Sequence, residues 1–359
     1  MNIGLIGLPA SGKTTVFNAL TGHDVETGRY SDVNGEPNVA VVAVSDKRVD
    51  ALSELYKPQK STYATVEIID YGGFSDRREA RRREAFTPLS LNRMKGCNAF
   101  AIVVRNFDDP IVDAAQGPAK PEGDFSSVLE ELLLADQLVA ENRIARLEED
   151  RAKGKSSTAH PREDQLLRRI AEALDDGKPV SALEFDAEAI RVISDFQFLS
   201  AKPVFVILNS DESRYSRSEI ARLSFPVPIV EFAGQFEAEL TGMDDDEAIE
   251  FMADAGITDS ARSRLTTFAY EILGYISFFT VGEDEVRAWT IQRGESAVAA
   301  AGAIHSDLAR GFIRAECFRC DDVLEHGTEK ELKKLGKIRI EGKEYVVSDG
   351  DVLSIRFSV

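Results

Sequence analysis

The sequence predicts an α/β sheet domain that is interrupted by a helical hairpin and followed by a small α+β domain. Apolar strand-like runs alternate with helical patterns over residues 1–124 and return over residues 199–277. The polar stretch between them, residues 125–198, contains no convincing strand, and residues 278–359 change to short strands with turn signals. We therefore expect three domains with these boundaries.

Six apolar runs are predicted to be strands of one sheet in the first domain. In chain order they are residues 2–7, 38–44, 62–70, 99–105, 203–209 and 228–232. In open α/β sheets the loops at the carboxyl ends of the strands form the ligand site, so binding residues are expected directly after these runs.

The inserted segment is predicted to be an antiparallel helical hairpin. Residues 126–130 offer a capped helix start, and residues 153–158 are a flexible polar tip. Apolar residues with helical spacing lie on either side of that tip: Leu132, Leu133, Ala135, Leu138, Val139, Ile144, Leu147, Leu166, Leu167, Ile170 and Leu174.

The C-terminal domain is expected to follow a helical segment around residues 259–273. Residues 338–347 alternate like strands, with Glu341 and Gly342 at the position of a hairpin turn. Residues 349–351 mark a second turn before a last strand.

The bulk composition favours a globular, cytoplasmic protein. The sequence contains neither a stretch of about 18 apolar residues nor a signal-peptide pattern, so we expect no membrane association. The net charge of -19 disfavours whole-surface attraction to nucleic acid. Residues 278–359 hold 12 basic and 15 acidic residues, and this nearly balanced part is the one expected to approach RNA.

The three cysteines, Cys97, Cys317 and Cys320, are too few for a disulfide framework. Cys317 and Cys320 form a lone C-x-x-C in a strand-like run, with no second pair to complete a zinc site. Ordinary strand residues are the favoured interpretation, and a redox-sensing thiol is the alternative.

Residues 7–14, Gly-Leu-Pro-Ala-Ser-Gly-Lys-Thr, match the phosphate-binding pattern G-x-x-x-x-G-K-[ST] and are called the phosphate loop below. Gly7 and Gly12 allow a tight turn whose backbone N–H groups face phosphate oxygens. Lys13 is expected to reach the β and γ phosphates, and Thr14 to supply a hydroxyl to Mg²⁺. The predicted ligand is a purine nucleoside triphosphate, contacted by Pro9, Ala10, Ser11, Gly12, Lys13, Thr14 and Thr15.

Asp70 and Gly73 form a D-x-x-G pattern directly after residues 66–69 of the third apolar run. Such an aspartate holds the metal's water shell, and the glycine N–H meets the γ phosphate, so Lys13, Asp70 and Gly73 are the catalytic candidates. The next residue is Phe74, where Ras-type GTPases place a glutamine that orients the attacking water. A phenyl ring cannot make that hydrogen bond, so hydrolysis is expected to be slow.

Base selection is expected after the fifth apolar run. GTPases carry N-K-x-D there, whereas this chain has Asn209, Ser210, Asp211 and Glu212. The glutamate is longer than aspartate and the supporting lysine is absent. Adenine, which presents an N6 amino donor where guanine has O6, is therefore the favoured base.

These motifs resemble those of the YchF subfamily of Obg-like ATPases, within the translation-factor-related P-loop GTPases, over nearly the whole chain. The last three matching segments lie in a part that resembles the ubiquitin-like TGS domain of that family. The matching segments are residues 7–9, 12–20, 36–39, 103–107, 209–212, 285–290, 311–316 and 349–352.

The resemblance implies a cytoplasmic ATPase that binds ATP and ADP and associates with ribosomes or ribosomal subunits, with RNA as a partner of the TGS domain. It also implies that the segments matching Ser210 and residues 233–235 take part in base selection. The base-binding candidates are thus Asn209, Ser210, Glu212, Ala233 and Gly234. The resemblance extends to Phe74, because the family also carries a hydrophobic residue in place of the catalytic glutamine.

One position and one longer segment depart from the family. The threonine that joins the Mg²⁺ shell in the first switch is here Asn34, whose carbonyl is a weaker ligand for a hard cation. The metal-binding candidates are therefore Thr14, Asp70 and Asn34. The second switch is an arginine-rich run, residues 75–84, which predicts either a solvated helix with Arg–Glu pairs or an arginine for the γ phosphate or ribosomal RNA.

The leading hypothesis is a slow, Mg²⁺-dependent ATPase whose nucleotide state sets partner binding. A GTP-preferring GTPase, in which Glu212 reaches guanine, is one alternative. A nucleotide-sensing adaptor with negligible turnover, favoured by Asn34 and Phe74, is the other.

Overall fold

The computed structural model describes residues 1–22, 36–71, 88–154, 161–211, 213–215, 221–240, 243, 245–254 and 259–358. The chain divides into two compact units. The first comprises Met1–Val41 and Glu67–Arg262, and the second comprises Val42–Val66 and Ser263–Val359.

The described strands are β1 (Asn2–Ile6), β2 (Asn38–Ala43), β3 (Lys60–Thr62), β4 (Thr65–Asp70), β5 (Ala99–Asn106), β6 (Val204–Ser210), β7 (Ile229–Phe232), β8 (Tyr275–Thr280), β9 (Glu285–Gln292), β10 (Phe312–Arg319), β11 (Arg339–Glu341) and β12 (Asp351–Phe357). The described α-helices are α1 (Lys13–Thr21), α2 (Lys47–Tyr56), α3 (Pro88–Met94), α4 (Pro110–Gln116), α5 (Pro121–Ala152), α6 (Glu163–Asp175), α7 (Ala187–Ser194), α8 (Gly234–Leu240), α9 (Asp245–Asp254), α10 (Ala261–Ile272), α11 (Ala297–Ile304), α12 (Ser306–Arg310), α13 (Cys320–His326) and α14 (Glu329–Lys334). Over this part of the chain, no helix combines the length and the apolar character needed to cross a membrane.

The first sheet has the strand order β2-β4-β1-β5-β6-β7, so each of the six predicted runs contributes a strand to it. β1 pairs in parallel with β4 and β5, and the parallel pairing continues through β6 to β7. Every residue of β5 is buried, as expected of a parallel strand that is covered on both faces. The predicted α/β sheet is confirmed.

The run at residues 62–70 is wrong as a single strand. β4 covers residues 65–70 and belongs to the first sheet, whereas Thr62 is the last residue of β3, which pairs in parallel with β9 in the second sheet. The strands that pair with β3 and β4 lie in distant parts of the chain. A local pattern therefore cannot assign them to different sheets.

Helices α5 and α6 form the predicted helical insertion. They share an apolar core with residues of α7 and the segments around it: Leu133, Ala140, Leu147, Leu166, Leu167, Ile170, Leu174, Val180, Ala189, Ile193 and Phe198. The expected start at residue 126 is wrong, because α5 begins at Pro121. Proline suits the first helical position, and Glu122 and Asp124 in the first turn complement the helix dipole.

The second sheet has the strand order β11-β10-β12-β8-β9-β3. β10 pairs antiparallel with β11 and β12, and the small residues Ala297, Ala300 and Ala301 of α11 join its apolar core. The predicted hairpin turn at Glu341 and Gly342 is wrong. β11 pairs with β10 instead, and the chain after the turn makes only an isolated bridge, Val346 with Ser296.

Residues 42–66 belong to the second unit, although they lie within the predicted sheet domain in sequence. Arg48 of α2 donates to the Asp349 carboxylate at 2.7 Å, and its guanidinium lies 5.0 Å from the centre of the Phe279 ring. These contacts join two segments that are separated by about three hundred positions, a relationship that only long-range folding creates.

Candidate functional site

The phosphate loop connects β1 to α1 and contains two left-handed residues, Ala10 at φ 59° and Gly12 at φ 88°. A Cβ atom at Gly12 would lie 2.1 Å from Nδ2 of Asn209, so glycine is required there for space as well as for conformation. The Pro9 carbonyl accepts a hydrogen bond from Nε2 of Gln116 at 3.4 Å. The loop is thus held in a tight turn by residues of two other segments.

The Lys13 side chain folds back over the loop. Its Nζ donates to the carbonyl oxygens of Gly7 at 3.0 Å and Leu8 at 3.1 Å, and only 6% of the residue is exposed. Burial lowers the pKa of Lys13 to about 8, and the nearby Asp70 carboxylate partly offsets that effect. The ammonium form still dominates at pH 7, which leaves a positive charge next to the loop.

Asp70 ends β4 and stands opposite Leu5 of β1 in the parallel register. Its Oδ2 accepts a hydrogen bond from Oγ1 of Thr14 at 3.1 Å, so the structure brings together two of the three predicted metal ligands. Burial raises the pKa of Asp70, and the Lys13 ammonium and the Thr14 hydroxyl oppose that rise.

The donor set at this position fits Mg²⁺. Oδ1 of Asp70 is buried and accepts no hydrogen bond from the described residues, although a buried carboxylate oxygen is costly without a partner. A hydroxyl and a carboxylate are hard oxygen ligands of the kind that Mg²⁺ takes alongside water and phosphate. Thr14 and Asp70 are therefore suitably arranged to hold the ion.

Tyr71 anchors the chain directly after Asp70. Its hydroxyl donates to the Arg93 carbonyl at 3.1 Å and lies 3.3 Å from the Cys97 sulfur, and the side chain is buried. Sequence reasoning missed this contact, because the residue between the aspartate and the glycines of D-x-x-G is variable in that pattern. The contact ties the residue after β4 to the end of α3 and to the chain before β5.

Asn209 joins the end of β6 to the phosphate loop. Its Nδ2 donates to the Ser11 carbonyl at 3.1 Å. A Cβ atom at Gly234 would lie 2.8 Å from Oδ1 of Asn209 and 3.4 Å from Cγ2 of Thr15, and the preceding Ala233 is buried. These predicted phosphate and base residues therefore lie together at the carboxyl ends of β6 and β7.

Ser210 is buried and hydrogen-bonds to two residues that sequence reasoning missed, Asn106 and Glu231. Polar residues at the ends of apolar strands were a visible signal for both. Their proximity to Ser210, however, comes from the parallel register of β5, β6 and β7.

A second polar cluster that sequence reasoning missed stabilises the segment after β6. The Asp211 carboxylate accepts from the Ser213 hydroxyl at 2.6 Å and from the Arg214 backbone N–H at 3.0 Å. Arg214 also pairs with Asp108, which follows β5, at 2.6 Å. These bonds tie the two loops that follow neighbouring strands.

Several sequence predictions fall outside the described residues. They are Asn34, Gly73, Phe74, Glu212 and the arginine-rich run at residues 75–84.

Comparison with known proteins gives matches to both ends of the chain. A family model described as "50S ribosome-binding GTPase" matches residues 2–140, and the C-terminal model of YchF GTPases, described as a protein of unknown function, matches residues 275–358. The chain also resembles the solved YchF GTPase of Schizosaccharomyces pombe, with a TM-score of 0.82 at 27% identity over 99% of this chain and 97% of that one.

Three relatives match this chain along nearly the whole length of both proteins. The ribosome-binding ATPase YchF of Pasteurella multocida is 36% identical over 99% of both chains, and that of Bacillus subtilis is 34% identical over 100% of both. Obg-like ATPase 1 of Oryza sativa subsp. japonica is 34% identical over 100% of this chain and 92% of its own. At this identity and coverage, the chain belongs to the YchF family of Obg-like ATPases.

Proposed function

We propose that this chain hydrolyses ATP to ADP and phosphate with Mg²⁺ at the phosphate loop, and that it binds ribosomes or ribosomal subunits in a nucleotide-dependent manner. The observation that carries the proposal is the convergence of Lys13, Thr14 and Asp70 at the ends of β1 and β4. Full-length relatives named ribosome-binding ATPases support the choice of nucleotide and of partner.

In this proposal, Lys13 lies beside the β and γ phosphates and stabilises the negative charge that develops as water attacks the γ phosphate. The backbone N–H group of Gly12, together with the start of α1, would bind the phosphate oxygens. Thr14 and Asp70 would hold Mg²⁺, with Asn34 as a weaker candidate, and the ion supplies charge neutralisation at the phosphate oxygens.

Slow turnover and a preference for adenine belong to the same proposal. Phe74 cannot orient a water by hydrogen bonding, and the N–H of Gly73 is the proposed contact to the γ phosphate. Asn209, Ser210, Glu212, Ala233 and Gly234 would surround the base. The proposal includes a cytoplasmic location and RNA binding by the C-terminal domain, and the nearly balanced charge of residues 278–359 supports the latter.

GTP hydrolysis is the second candidate activity. Its support is the description of the family model for residues 2–140 as a GTPase and the same word for the S. pombe relative. An adaptor with negligible turnover is the third candidate, and Asn34 and Phe74 are the sequence features that favour it.

Phosphate release distinguishes these candidates. We expect Mg²⁺-dependent release from ATP, increased by ribosomes, that Lys13→Ala abolishes and that Lys47→Ala, an exposed lysine of α2, leaves unchanged. Release from GTP alone, together with GTP binding at least about tenfold tighter than ATP binding, would support the GTPase instead. If phosphate release does not exceed the Lys13→Ala level, with or without ribosomes, the result would support the adaptor with negligible turnover.

Ribosome binding is tested separately by co-sedimentation with ribosomal particles in ATP, in ADP and without nucleotide. We expect a different bound fraction in at least one of the three conditions. Absence from the particle fractions in all three would remove the ribosomal part of the proposal and leave the hydrolysis part intact.

A further inference from the structure

Three polar side chains form a hydrogen-bonded row across neighbouring strands of the first sheet. Asn106 and Ser210 are the last residues of β5 and β6, and Glu231 precedes the last residue of β7. Nδ2 of Asn106 donates to Oγ of Ser210 at 2.9 Å, and that hydroxyl donates to Oε1 of Glu231 at 3.2 Å. All three residues are buried, with 6%, 3% and 7% of their surfaces exposed.

The row has a cost that apolar side chains at the same positions would avoid. Burying a carboxylate costs several kcal/mol of desolvation even after relaxation, and apolar replacements of similar volume are often neutral for stability. A satisfied buried network does, however, restrict the surrounding chain to one arrangement. A hydrogen-bonded row that crosses three strand ends therefore holds those ends at fixed distances from one another, which is useful where the ends form a binding site.

The row lies on the side of the phosphate loop where a base is expected. Asp70 ends β4 on one side of β1, so a nucleotide bound as proposed would point its γ-phosphate end toward β4. The ribose and base then extend the other way along the carboxyl edge, over β5, β6 and β7. Asn209, next to Ser210, is already bonded to Ser11 of the phosphate loop.

We infer that Glu231 is a positioning residue for the nucleotide base. Through the Ser210 hydroxyl it fixes the distance between the chain leaving β6 and the chain leaving β7, which border the base. A carboxylate only accepts hydrogen bonds, so Ser210 donates to it, and the same oxygen accepts from Asn106. Glu231 thus determines which group donates and which accepts in both hydrogen bonds of the row. The inference rests on the proposed nucleotide binding.

The test compares ligands with and without a base. Dissociation constants for ATP, GTP and inorganic tripolyphosphate are measured by calorimetry for the full chain and for Glu231→Leu, Ser210→Ala and Glu231→Gln. Glu239→Leu, at an exposed position of α8, is the matched control. Thermal melting of each variant reports whether the fold is retained.

We expect Glu231→Leu and Ser210→Ala to weaken ATP binding by about tenfold or more, the effect of losing a buried hydrogen bond to a charged group. Tripolyphosphate binding should change less than about twofold, because the phosphate loop is untouched. Glu231→Gln retains an acceptor oxygen for Ser210, so it should keep ATP binding within about threefold of the parent. Glu239→Leu should match the parent for all ligands.

Equal losses for ATP and tripolyphosphate would overturn the inference, because they indicate general damage to the site. Unchanged ATP binding in Glu231→Leu would overturn it as well. If the parent chain binds no ATP, the proposed function fails and the inference fails with it. If the parent binds ATP and the variants bind it equally well, only the inference fails.

Discussion

The side-chain amide of Asn209 donates to the Ser11 carbonyl at 3.1 Å, which ties the end of β6 to the phosphate loop. The two residues are separated by almost two hundred positions in the chain. Their hydrogen bond links the position of the base side of the site to that of the phosphate side. It also places the Asn209 side chain against Gly12, where no room is left for a Cβ atom.

Gly12→Ala is expected to weaken ATP binding by about tenfold or more. The new Cβ atom would stand 2.1 Å from Nδ2 of Asn209, and the φ of 88° disfavours alanine, so the loop or Asn209 must move. Calorimetric titration measures the change. The control is Gly123→Ala in α5, whose Cβ would be 3.7 Å from the nearest side-chain atom and should leave binding unaltered. Equal ATP affinity in the two variants would contradict the proposed crowding.

Asp136→Asn is expected to loosen the junction between α5 and residues 199–201. The buried Asp136 carboxylate accepts from the backbone N–H groups of Leu199 and Ser200 and from the Ser200 hydroxyl, at 2.7–2.8 Å. An amide nitrogen there would face donors, so the free energy of local opening should fall by about 1–3 kcal/mol. Hydrogen exchange at the Leu199 and Ser200 amides measures this opening.

The same substitution gives a pH dependence with a definite sign. Burial raises the pKa of Asp136 in the folded protein, so its contribution to stability is present below the unfolded pKa and is lost as pH rises through the folded pKa. The parent should therefore gain stability relative to Asp136→Asn as pH falls from 7 toward 4. Glu141→Gln, at an exposed position of α5, should leave hydrogen exchange at the Leu199 and Ser200 amides unchanged.

Arg48→Met is expected to weaken the attachment of residues 42–66 within the second unit. The guanidinium is paired with Asp46 at 2.8 Å and Asp349 at 2.7 Å, and it is 30% exposed, so solvent screening limits the loss to about 1 kcal/mol. Hydrogen exchange at the Gln59 amide, which donates to the Glu283 carbonyl at 3.0 Å, should become faster. Lys47→Met, at the exposed neighbouring position, should leave it unchanged; identical exchange in both variants would argue against a stabilising role for Arg48.

The three thiols are expected to be unreactive in the folded protein at pH 7.5. Cys97, Cys317 and Cys320 are free and buried, and burial raises the pKa of Cys317 to about 12 and of Cys320 to about 11. The reactive thiolate is therefore scarce. Titration with a thiol-reactive disulfide should detect all three groups in guanidinium and almost none before unfolding. Rapid labelling of native Cys317 or Cys320 would instead favour the redox-sensing alternative.

Local patterns predicted most of the site's phosphate side. The phosphate loop is contiguous in sequence, and its glycines, lysine and threonine act through backbone geometry that neighbouring residues impose. Asp70 could be placed because it directly follows an apolar run, and Thr14 does lie against it at 3.1 Å. Helical spacing similarly identified α5 and α6, although the start of α5 at Pro121 was missed.

The base side could be predicted only in part. Asn209 and Ser210 were visible as a variant of a known motif. Asn106 lies in the matching segment 103–107, where no role was attached to it, and Glu231 belongs to no contiguous pattern. They meet Ser210 because parallel register aligns three strand ends whose positions in the chain are far apart. No short window of sequence contains that information.

The sequence by itself determined the phosphate loop, the run of strands and helices around it, and the helical insertion, because each depends on spacing between near neighbours. Only the tertiary structure decided that β3 pairs with β9, that Arg48 reaches Asp349, and that Glu231 closes a row with Ser210 and Asn106. Those outcomes depend on which distant segments pair, and pairing is settled by the burial and hydrogen bonding of the whole unit rather than by local preference.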